Sequence, residues 1–530
     1  MSAATDATVS PKTKQTGDYV AREVVGDKID LSVGQPSPAS LPLGALSQAA
    51  AHRLSSPDAE LLLQYGPRQG YRSFRQSLAA FLTQRYGTAV DAEHLMVTAG
   101  VSHGLGLAVG ALSRPGDVVV VECPTYFLVT PIFRDHHLRV HPMATDEQGL
   151  VVEELEAWLR ADPSHRPRFV YTIPIHNNPR GTTLPAARRR RLLALAAQYD
   201  FLVLADEVYQ LLSFPEEACQ LLAPTPGHQQ QPQQEGTTRG ARGSGSVTGA
   251  SCQAGPAAQA ASEPGPADSR GAAASPAVGL KPEGRGGTGL LPPVGSPAGP
   301  AGQSAGPPSA EPLPLPLRCY EELGDAVERA ATGGGNGGAS SSGASGSGIQ
   351  AGGSRVLSFG SFSKMLAPAL RLGWIESTNA ALLGRLKEDG VISSGGCIAQ
   401  LSAGLAHSAL ELGLQDAHLD GVVAPGLARR CAALCTALRT HLPECRLLRP
   451  RGGYFVWLEF PPQVSAKALL ARAEARHGVR FTPGPACGGG SEHCARLSFA
   501  FYTEQELEEG ARRLGQALRE HLTQEHGQQQ

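Results

Sequence analysis

The chain has 530 residues, with 46 basic and 48 acidic side chains and a formal net charge of −2. This near-balance gives no electrostatic reason to expect nucleic acid or an anionic membrane as a partner. We find neither an apolar run of the roughly 18 residues that a spanning helix needs nor an apolar segment typical of a secretion signal. The ten cysteines are scattered without metal-like spacing. We therefore expect no metal site and a reducing, cytoplasmic location, with an organelle left open.

The first half of the chain alternates helical and strand patterns. Apolar residues at helical spacing predict helices, and short β-branched runs predict strands. The predicted elements are, in chain order, a helix at 74–86, a strand at 94–99, a helix at 102–112, strands at 118–122 and 169–173, a helix at 186–199, and strands at 201–205 and 356–359. Continuous apolar strands alternating with helices predict an α/β fold with a mostly parallel sheet and flanking helices.

A low-complexity block, residues 224–353, interrupts this alternation. It holds 29 of the 63 glycines and only one of the 28 aromatic residues, Tyr320. Such a composition cannot bury enough apolar surface to offset the entropy of ordering the chain. We therefore predict a long disordered insertion that is dispensable for catalysis. A short apolar stretch within it, 313–328, is compatible with a helix.

The last third of the chain has a different character. Long alanine- and leucine-rich helices precede strands at 454–460 and 495–500, which predicts a smaller α+β domain. The expected boundaries are a flexible N-terminal tail at 1–28, a large domain at 29–223 and 354–390, the insertion at 224–353, a small domain at 391–522, and a flexible tail at 523–530. Segment 29–45 of the large domain is also compatible with packing against the small domain.

Polar residues follow three of the predicted parallel strands. One strand runs into Asp206 and Tyr209, another precedes Asn178, and the third precedes Ser363 and Lys364. Taken singly, each feature is typical of a helix cap, a turn or a solvated charge. Ligands of open α/β sheets, however, bind beyond the carboxyl ends of the strands, so these residues are expected to meet at one edge.

Together these residues suit one cofactor, pyridoxal phosphate. It needs an amine for its aldehyde, a carboxylate for its pyridine nitrogen, donors to its phenolic oxygen and a phosphate cup. These groups are offered, in that order, by Lys364, Asp206, Tyr209 with Asn178, and Ser361 and Ser363 with Arg371. The strand-to-helix turn at 99–104 adds free backbone N–H groups and the positive end of a helix dipole.

Six motifs, in this order and spacing, resemble the class I and II, fold-type I pyridoxal-phosphate aminotransferases. SFSKMLAPALRLGW at 361–374 is similar to the family's pattern around its lysine, and ADEVY at 205–209 to its Asp…Tyr pattern. The other four similar segments are 64–82, 115–126, 171–181 and 451–460. Within this family, the motifs are most similar to those of the aminoadipate, kynurenine and aromatic aminotransferases. The resemblance covers nearly all of the chain outside the N-terminal tail and the insertion, and it implies a seven-stranded-type sheet with a smaller α+β domain.

The resemblance also implies roles for individual residues. Lys364 would form a Schiff base with the cofactor and act as acid and base, in a ping-pong transfer of an α-amino group from an amino acid to a 2-oxo acid. The implied cofactor-binding set is Val101, Ser102, Tyr126, Asn178, Asp206, Tyr209, Ser361, Ser363, Lys364 and Arg371, with Tyr65 from the partner subunit of a homodimer. The implied substrate-binding set is Gly34, Asn178 and Arg496, in which Arg496 holds the α-carboxylate.

Some residues depart from the family pattern. Arg180 stands where the family usually has Thr, and Val101 replaces a frequent Ser. Neither change removes a group that the chemistry requires. The run of four arginines at 188–191 is interpreted as a solvated helix face rather than a nucleic-acid signal, and His103 as a helix-entry residue.

Two alternatives to an aminotransferase stay open at this point. A carbon–sulfur β-lyase or an aminocyclopropane-carboxylate-synthase-like enzyme shares the same lysine site, and sequence motifs separate these activities poorly. A transcription regulator built on this fold would carry an N-terminal winged helix-turn-helix. About 30 residues precede the predicted fold, which is too few for that domain.

Overall fold

A computed structural model describes residues 27–215, 314–321 and 353–528, with side chains up to residue 524. Apart from residues 27 and 28, the predicted N-terminal tail lies outside the described residues. The same holds for the larger part of the predicted insertion.

The described strands are mostly short, and the helices range from one turn to seven. The strands are β1 (Ile29–Asp30), β2 (Leu95–Thr98), β3 (Val118–Cys123), β4 (Arg139–Asp146), β5 (Gly149–Leu150), β6 (Pro167–Thr172), β7 (Leu202–Asp206), β8 (Val356–Ser361), β9 (Gly373–Glu376), β10 (Arg446–Leu448), β11 (Phe455–Glu459), β12 (Val479–Arg480), β13 (Thr482–Pro483) and β14 (Cys494–Ser498). The α-helices are α1 (Leu43–Leu54), α2 (Arg72–Tyr86), α3 (Val101–Leu112), α4 (Val129–Asp135), α5 (Val152–Ala161), α6 (Ala186–Tyr199), α7 (Ala380–Lys387), α8 (Gly390–Gly395), α9 (Gln400–Glu411), α10 (Leu414–His418), α11 (Ala424–His441), α12 (Ala466–His477) and α13 (Glu504–Gln528).

The largest sheet has eight strands in the spatial order β2-β9-β8-β7-β6-β3-β4-β5. The four central pairings, from β8 across to β4, are parallel, whereas β2–β9, β9–β8 and β4–β5 are antiparallel. The predicted mostly parallel α/β fold is therefore confirmed. The two-residue strand β5 forms a hairpin with β4 and brings the expected seven strands to eight.

Apolar runs of the central strands are buried on both faces of this sheet. In β3, Val119 and Val121 pack into one hydrophobic cluster and Val120 into another. Alternate side chains of a strand point to opposite faces, so both faces of β3 are covered. For this reason, the sequences of the central strands are continuous runs of apolar residues rather than alternating apolar and polar residues.

A second sheet is antiparallel, in the order β10-β11-β14-β13. It places Arg496 of β14 opposite Trp457 and Thr482. Close to it, β1 pairs in parallel with β12, with Ile29 beside Val479. The N-terminal segment that follows β1 is thereby attached to the same part of the fold that carries Arg496.

Helix α13 extends beyond the predicted end of the folded chain. It continues to Gln528, whereas a flexible tail was expected from residue 523. The helical run 414–441, which includes α10 and α11, is long and apolar enough by composition to cross a membrane, the one such run among the described residues. Its apolar window is 56% buried within the fold, as in the core helix of a globular protein.

The structure corrects two predictions about the insertion and the arginine run. Residues 314–321 lie within the predicted disordered block, in the short apolar stretch 313–328 that was compatible with a helix. Residues 319–321 are helical, Leu317 is fully buried and Arg318 is 3% exposed. Arg189, predicted on a solvated face, is 1% exposed, and its Nε donates to the Leu184 carbonyl at 2.6 Å. The average composition of the 130-residue block did not reveal the eight residues, 314–321, that pack against the core. Arg189 is buried because it lies on the side of α6 that these residues cover.

Candidate active site

A cavity of about 440 Å³ lies beyond the carboxyl ends of β3, β6, β7 and β8. This edge is where the polar residues of the predicted strand ends were expected to meet. The predicted site residues that line the cavity are Gly34, Val101, Ser102, Tyr126, Asn178, Asp206, Tyr209, Ser361, Ser363, Lys364, Arg371 and Arg496. Of the predicted set, Tyr65 alone does not line it.

Lys364 follows β8 and projects its amine into the cavity wall. Its Nζ donates to the Gly34 carbonyl at 2.6 Å and lies 5.0 Å from the centre of the Tyr454 ring. Burial, with the nearby charges of Arg496 and Arg371, lowers the pKa of Lys364 from 10.5 to about 8, against the opposing charge of Asp206. An amine with a pKa near 8 is partly neutral near neutral pH, which a nucleophile or general base requires.

Asp206, the last residue of β7, presents a carboxylate with one partnered and one unpartnered oxygen. Its Oδ2 accepts a hydrogen bond from the Tyr171 hydroxyl at 2.9 Å. Its Oδ1 is buried and makes no hydrogen bond of normal length and angle with the described residues. Burial raises the pKa of Asp206 to about 6, which the hydrogen bond from Tyr171 and the nearby Val208 N–H oppose. A buried carboxylate oxygen without a donor is costly, so a cationic donor in the cavity would stabilise it.

An anion cradle lies where α3 begins. Gly100 precedes α3 with φ +84°, and a Cβ at this position would lie 3.0 Å from Nη2 of Arg371. The glycine thus lets the guanidinium approach the free N–H groups at the start of α3, where an anion is favoured. Ser363 is next to this arrangement, and its hydroxyl lies 2.9 Å from Ser361 Oγ. The hydroxyl of Ser361 can also donate to the Leu372 carbonyl at 3.1 Å.

His103, in the first turn of α3, has the structural role predicted for it. Its Nδ1 accepts a hydrogen bond from the Ala99 N–H at 3.2 Å. Burial lowers the pKa of His103, which keeps the ring neutral and able to accept that bond. The histidine therefore closes the turn that leads into the helix.

Arg496 forms the opposite wall of the cavity. Its guanidinium donates to Asn178 Oδ1 at 2.9 Å, and to the Ser32 carbonyl and Thr482 Oγ1 at 3.1 Å each. Its Cζ also lies 4.2 Å from the centre of the Phe455 ring. These contacts hold a cation at a fixed place where strands of the smaller sheet meet the N-terminal segment.

Several residues of the site were not predicted from the sequence. Tyr171 was recognised only as the first residue of the motif at 171–181, yet it orients Asp206 through its hydroxyl. The Tyr454 hydroxyl donates to the Lys364 carbonyl at 3.1 Å, and Thr482 supports Arg496. The signal for Tyr171 was its position in the strand next to β7 with a polar group on an otherwise apolar face. Thr482 carried no signal, because it meets Arg496 only through sheet pairing.

Glu122 is a further buried acid near the site. It accepts hydrogen bonds from Thr172 Oγ1 at 2.6 Å, the Ile173 N–H at 3.1 Å and Asn177 Nδ2 at 2.7 Å. Burial raises the pKa of Glu122 to about 7. The carboxyl thereby ties the end of β3 to the loop that carries Asn178.

Tyr65 lies on the surface, where its side chain is 87% exposed. The loop that carries it is fixed by a close backbone approach, since a Cβ on Gly396 would lie 1.8 Å from the Gly66 carbonyl oxygen. Gly396 has φ +70°, which also favours glycine. Exposed apolar side chains surround this region on α1, the 3-10 helix Ala59–Leu63 and α9, among them Leu43, Leu54, Leu61, Leu63 and Leu401.

The residues present fit pyridoxal phosphate. The unpartnered Oδ1 of Asp206 suits a protonated pyridine nitrogen, and the cradle of α3 with Arg371 suits a phosphate. Lys364 offers its amine in the same cavity. The site and the fold are those of a fold-type I enzyme dependent on this cofactor.

Comparison with known proteins agrees with this class. The family model "Aminotransferase class I and II" matches residues 26–228 and 335–514, and the chain belongs to that family. The aromatic-amino-acid aminotransferase 1 of Thermococcus litoralis is 25% identical over 501 residues, which is 94% of this chain and 89% of the relative. The 2-aminoadipate transaminase of Thermus thermophilus is 25% identical over 491 residues, covering 92% and 89%.

Solved structures show the same fold. The multiple substrate aminotransferase from Thermococcus profundus superposes with a TM-score of 0.65 at 23% identity, covering 94% of this chain and 93% of that one. The expected enzyme class is thus confirmed: the chain is a pyridoxal-phosphate-dependent aminotransferase that transfers an amino group between an amino acid and a 2-oxo acid.

Proposed function

We propose that this cavity transfers the α-amino group through Lys364, with Asp206 holding the cofactor ring and Arg496 holding the substrate. The observation that carries the proposal is the convergence of these three groups on one cavity, in which Asp206 Oδ1 is buried and makes no hydrogen bond of normal geometry with the described residues. When bound, pyridoxal phosphate supplies an aldehyde that takes up the amino group and a ring that withdraws electrons from the substrate Cα.

Lys364 moves the proton in this proposal. Its lowered pKa, about 8, makes part of the amine neutral near neutral pH. The neutral amine would remove the proton from the substrate Cα and, once protonated, would give it to the former aldehyde carbon of the cofactor. The charge of Asp206 would keep the ring nitrogen protonated, and Tyr171 fixes the orientation of that carboxylate. Tyr209 and Asn178 would donate to the phenolic oxygen, and Tyr126 would stack on the ring.

The phosphate group of the cofactor would be held by the cradle at the start of α3. We assign it the backbone N–H groups of Val101 and Ser102, the hydroxyl of Ser363 and the guanidinium of Arg371. Ser361 supports Ser363 through the 2.9 Å contact between their hydroxyls. Gly34 lies beside the amine, where its carbonyl accepts from Lys364 Nζ, so the N-terminal segment closes the site over the substrate.

A single-turnover experiment tests this proposal against the lyase alternative. Holoenzyme mixed with an amino donor, in the absence of any 2-oxo acid acceptor, should release one equivalent of the donor's 2-oxo acid per bound cofactor and then stop. Continued product release without an acceptor, with loss of the substrate's side-chain leaving group, would identify a β-eliminating enzyme instead.

Part of the cavity lining has a mixed character that bears on the substrate. Phe127, Leu128, Leu470 and Phe481 line it, together with Arg480. Arg480 is about half exposed and lies 3.7 Å from Glu474, which is a weak ion pair at the surface. We propose that aromatic side chains pack on the apolar wall and that acidic side chains turn to Arg480.

Replacing Arg480 by methionine should separate the two substrate types. Methionine keeps an apolar stem but removes the charge, so kcat/KM for acidic donors should fall about tenfold, or roughly 1.4 kcal/mol. Aromatic donors should change less than twofold. The measurement is a donor series with a fixed acceptor, and Arg476→Met, an exposed arginine on the neighbouring helix, serves as the control. A parallel loss for both donor types would contradict the assignment.

We propose further that the active unit is a homodimer. The exposed apolar residues around Tyr65 form a patch of the kind that marks a protein interface. A phenol fits an interface because its ring can be buried while its hydroxyl donates to a phosphate oxygen. Tyr65 does not line the cavity of its own subunit. It would instead complete the phosphate cradle of the partner subunit.

Hybrid dimers test the role of Tyr65. Tyr65→Phe subunits mixed with Lys364→Ala subunits should regain activity, because one of the two composite sites in each hybrid then contains both intact residues. The expected activity approaches a quarter of the wild-type value after random exchange and exceeds that of either parent. Absence of recovery after proven subunit exchange, or an active monomer in sedimentation at assay concentration, would refute the assignment.

We propose a cytoplasmic location. No disulfide joins the eight described cysteines, most of which are buried, and this suits a reducing compartment. Microscopy of a tagged full-length chain tests this, and a signal confined to an organelle would contradict it.

A further inference from the structure

Residues 314–321 are here called the anchor segment. They contact four parts of the core around β7, namely the loop after β7, helix α6, strand β9 and the residues just before β8. Leu317, Arg318 and Cys319 are all buried, at 0%, 3% and 2% exposure. On one side, the Gln210 amide donates to the Pro314 carbonyl at 2.5 Å, and Arg189 of α6 donates to the Leu315 carbonyl. The segment therefore packs as a structural element, although it lies in a Gly- and Pro-rich block.

On its other side, the anchor segment contacts β9 and the residues just before β8. Arg318 forms an ion pair with Glu376 of β9, and both side chains are 3% exposed. Glu321 accepts from Ser354 Oγ at 2.5 Å and from the Arg355 N–H at 3.0 Å, just before β8. Tyr320 lies under the guanidinium of Arg189, 5.2 Å from its ring centre to Cζ.

At the centre of these contacts is Glu207, the residue after Asp206. Glu207 is 4% exposed, its Oε1 accepts from the Leu317 N–H at 2.6 Å, and its Oε2 accepts from the Ser358 hydroxyl. One carboxylate oxygen is thus held by the anchor segment and the other by β8. Burial raises the pKa of Glu207, while the Leu317 bond and the charges of Arg189 and Arg318 oppose this.

The position of Glu207 matters because it continues the strand end that presents Asp206. A buried carboxylate that loses its donor either takes up a proton or moves toward water, since uncompensated burial of charge is costly. Either response would shift the backbone at 206–207 or change the field at the neighbouring Asp206. Proper placement of a site carboxylate requires such supporting contacts to be made.

We propose that the anchor segment is a positioning element for the cofactor site, which acts through Glu207 to hold Asp206 in place. The insertion thereby contributes to the active site although none of the described insertion residues lines the cavity. Loop closure costs grow slowly with length, so long connections on either side of the anchor segment are tolerated. This inference rests on the proposed role of Asp206 in binding the cofactor ring.

The first test replaces residues 314–321 by eight Gly and Ser residues in the full chain. The control replaces residues 256–263, an equally long stretch of the same block that lies outside the described residues. Apoprotein affinity for pyridoxal phosphate and the pH titration of the bound cofactor's absorbance are measured for both. We expect the anchor replacement to raise Kd at least about tenfold and to shift the titration, and the control to stay within twofold of the parent.

The second test asks whether the effect passes through Glu207. In a Glu207→Gln background, the anchor replacement should raise Kd less than about threefold further, because the residue through which it acts is already changed. If the anchor-replaced protein does not fold, Arg318→Met takes its place in the same pair of backgrounds. The inference would be overturned if the anchor replacement left Kd within twofold of the parent and did not shift the titration. It would also be overturned if the anchor replacement and Glu207→Gln changed Kd independently, so that their effects multiplied. A parent protein that binds no pyridoxal phosphate would instead refute the proposed function.

Discussion

Replacing Lys364 by alanine is expected to abolish amino transfer while the protein stays folded. The amine is the one group in the cavity placed both to take up the cofactor and to move the proton, and general acid–base catalysis alone contributes about 10²–10⁴-fold. Turnover should therefore fall by at least about 10⁴-fold. Borohydride treatment of the parent should fix the cofactor on the peptide that contains Lys364, and the variant should retain none covalently.

A control variant, the site of labelling and a check of folding test this prediction further. Lys467→Ala, an exposed lysine at the start of α12, should leave activity and labelling unchanged. Label on any other lysine of the parent protein would show that the wrong amine has been assigned. Circular dichroism and thermal unfolding of Lys364→Ala should match the parent apoprotein, since the side chain makes a single hydrogen bond, to the Gly34 carbonyl.

The same lysine predicts a pH dependence for cofactor uptake by apoprotein. The pKa of Lys364 is lowered to about 8, so its amine is protonated below that pH and neutral above it. Only the neutral amine attacks an aldehyde. The rate of covalent uptake should therefore rise as pH increases through about 8 and level off above it. A rate that is flat between pH 6 and 9 would contradict the lowered pKa.

The sequence alone predicted the sheet and most of the cavity for a shared physical reason. Parallel strands buried on both faces must be continuously apolar, so the polar residues that follow each strand are conspicuous. Asp206, Asn178 and Lys364 were all found in this way, and the structure brings all three to one cavity. Parallel strands end at the same edge, which is why residues far apart in sequence could be grouped without coordinates.

What the sequence did not predict depends on contacts between distant segments. The anchor segment lies in a block whose average composition resembles a linker, and eight residues change that average little. Its packing becomes evident only because Glu207, Glu376 and Arg189 lie around it in the fold. The hydrogen bond from Tyr171 to Asp206 is likewise set by strand register, which pairs Tyr171 with Leu204 and brings its hydroxyl to the neighbouring strand's end.

Truncating Arg496 is the second change with a large expected effect. Its guanidinium is 4% exposed and is positioned by Asn178, Ser32 and Thr482. Loss of a buried charge that pairs with a substrate carboxylate typically costs about 2–5 kcal/mol. Arg496→Ala should therefore raise KM at least about 30-fold for both the amino acid and the 2-oxo acid. Both substrates are affected because both carry the α-carboxylate.

The balance between KM and kcat identifies what Arg496 does. A carboxylate held equally in the ground state and the transition state contributes uniform binding, so its loss raises KM more than it lowers kcat. Arg496→Lys should recover part of the affinity, because the charge returns without the bidentate geometry. Affinity for pyridoxal phosphate should stay within a few-fold, and Arg429→Ala, a surface arginine that is 69% exposed, should match the parent. Unchanged KM for both substrates in Arg496→Ala would place the carboxylate site elsewhere, whereas a loss confined to cofactor affinity would make Arg496 a support for Asn178 rather than a substrate ligand.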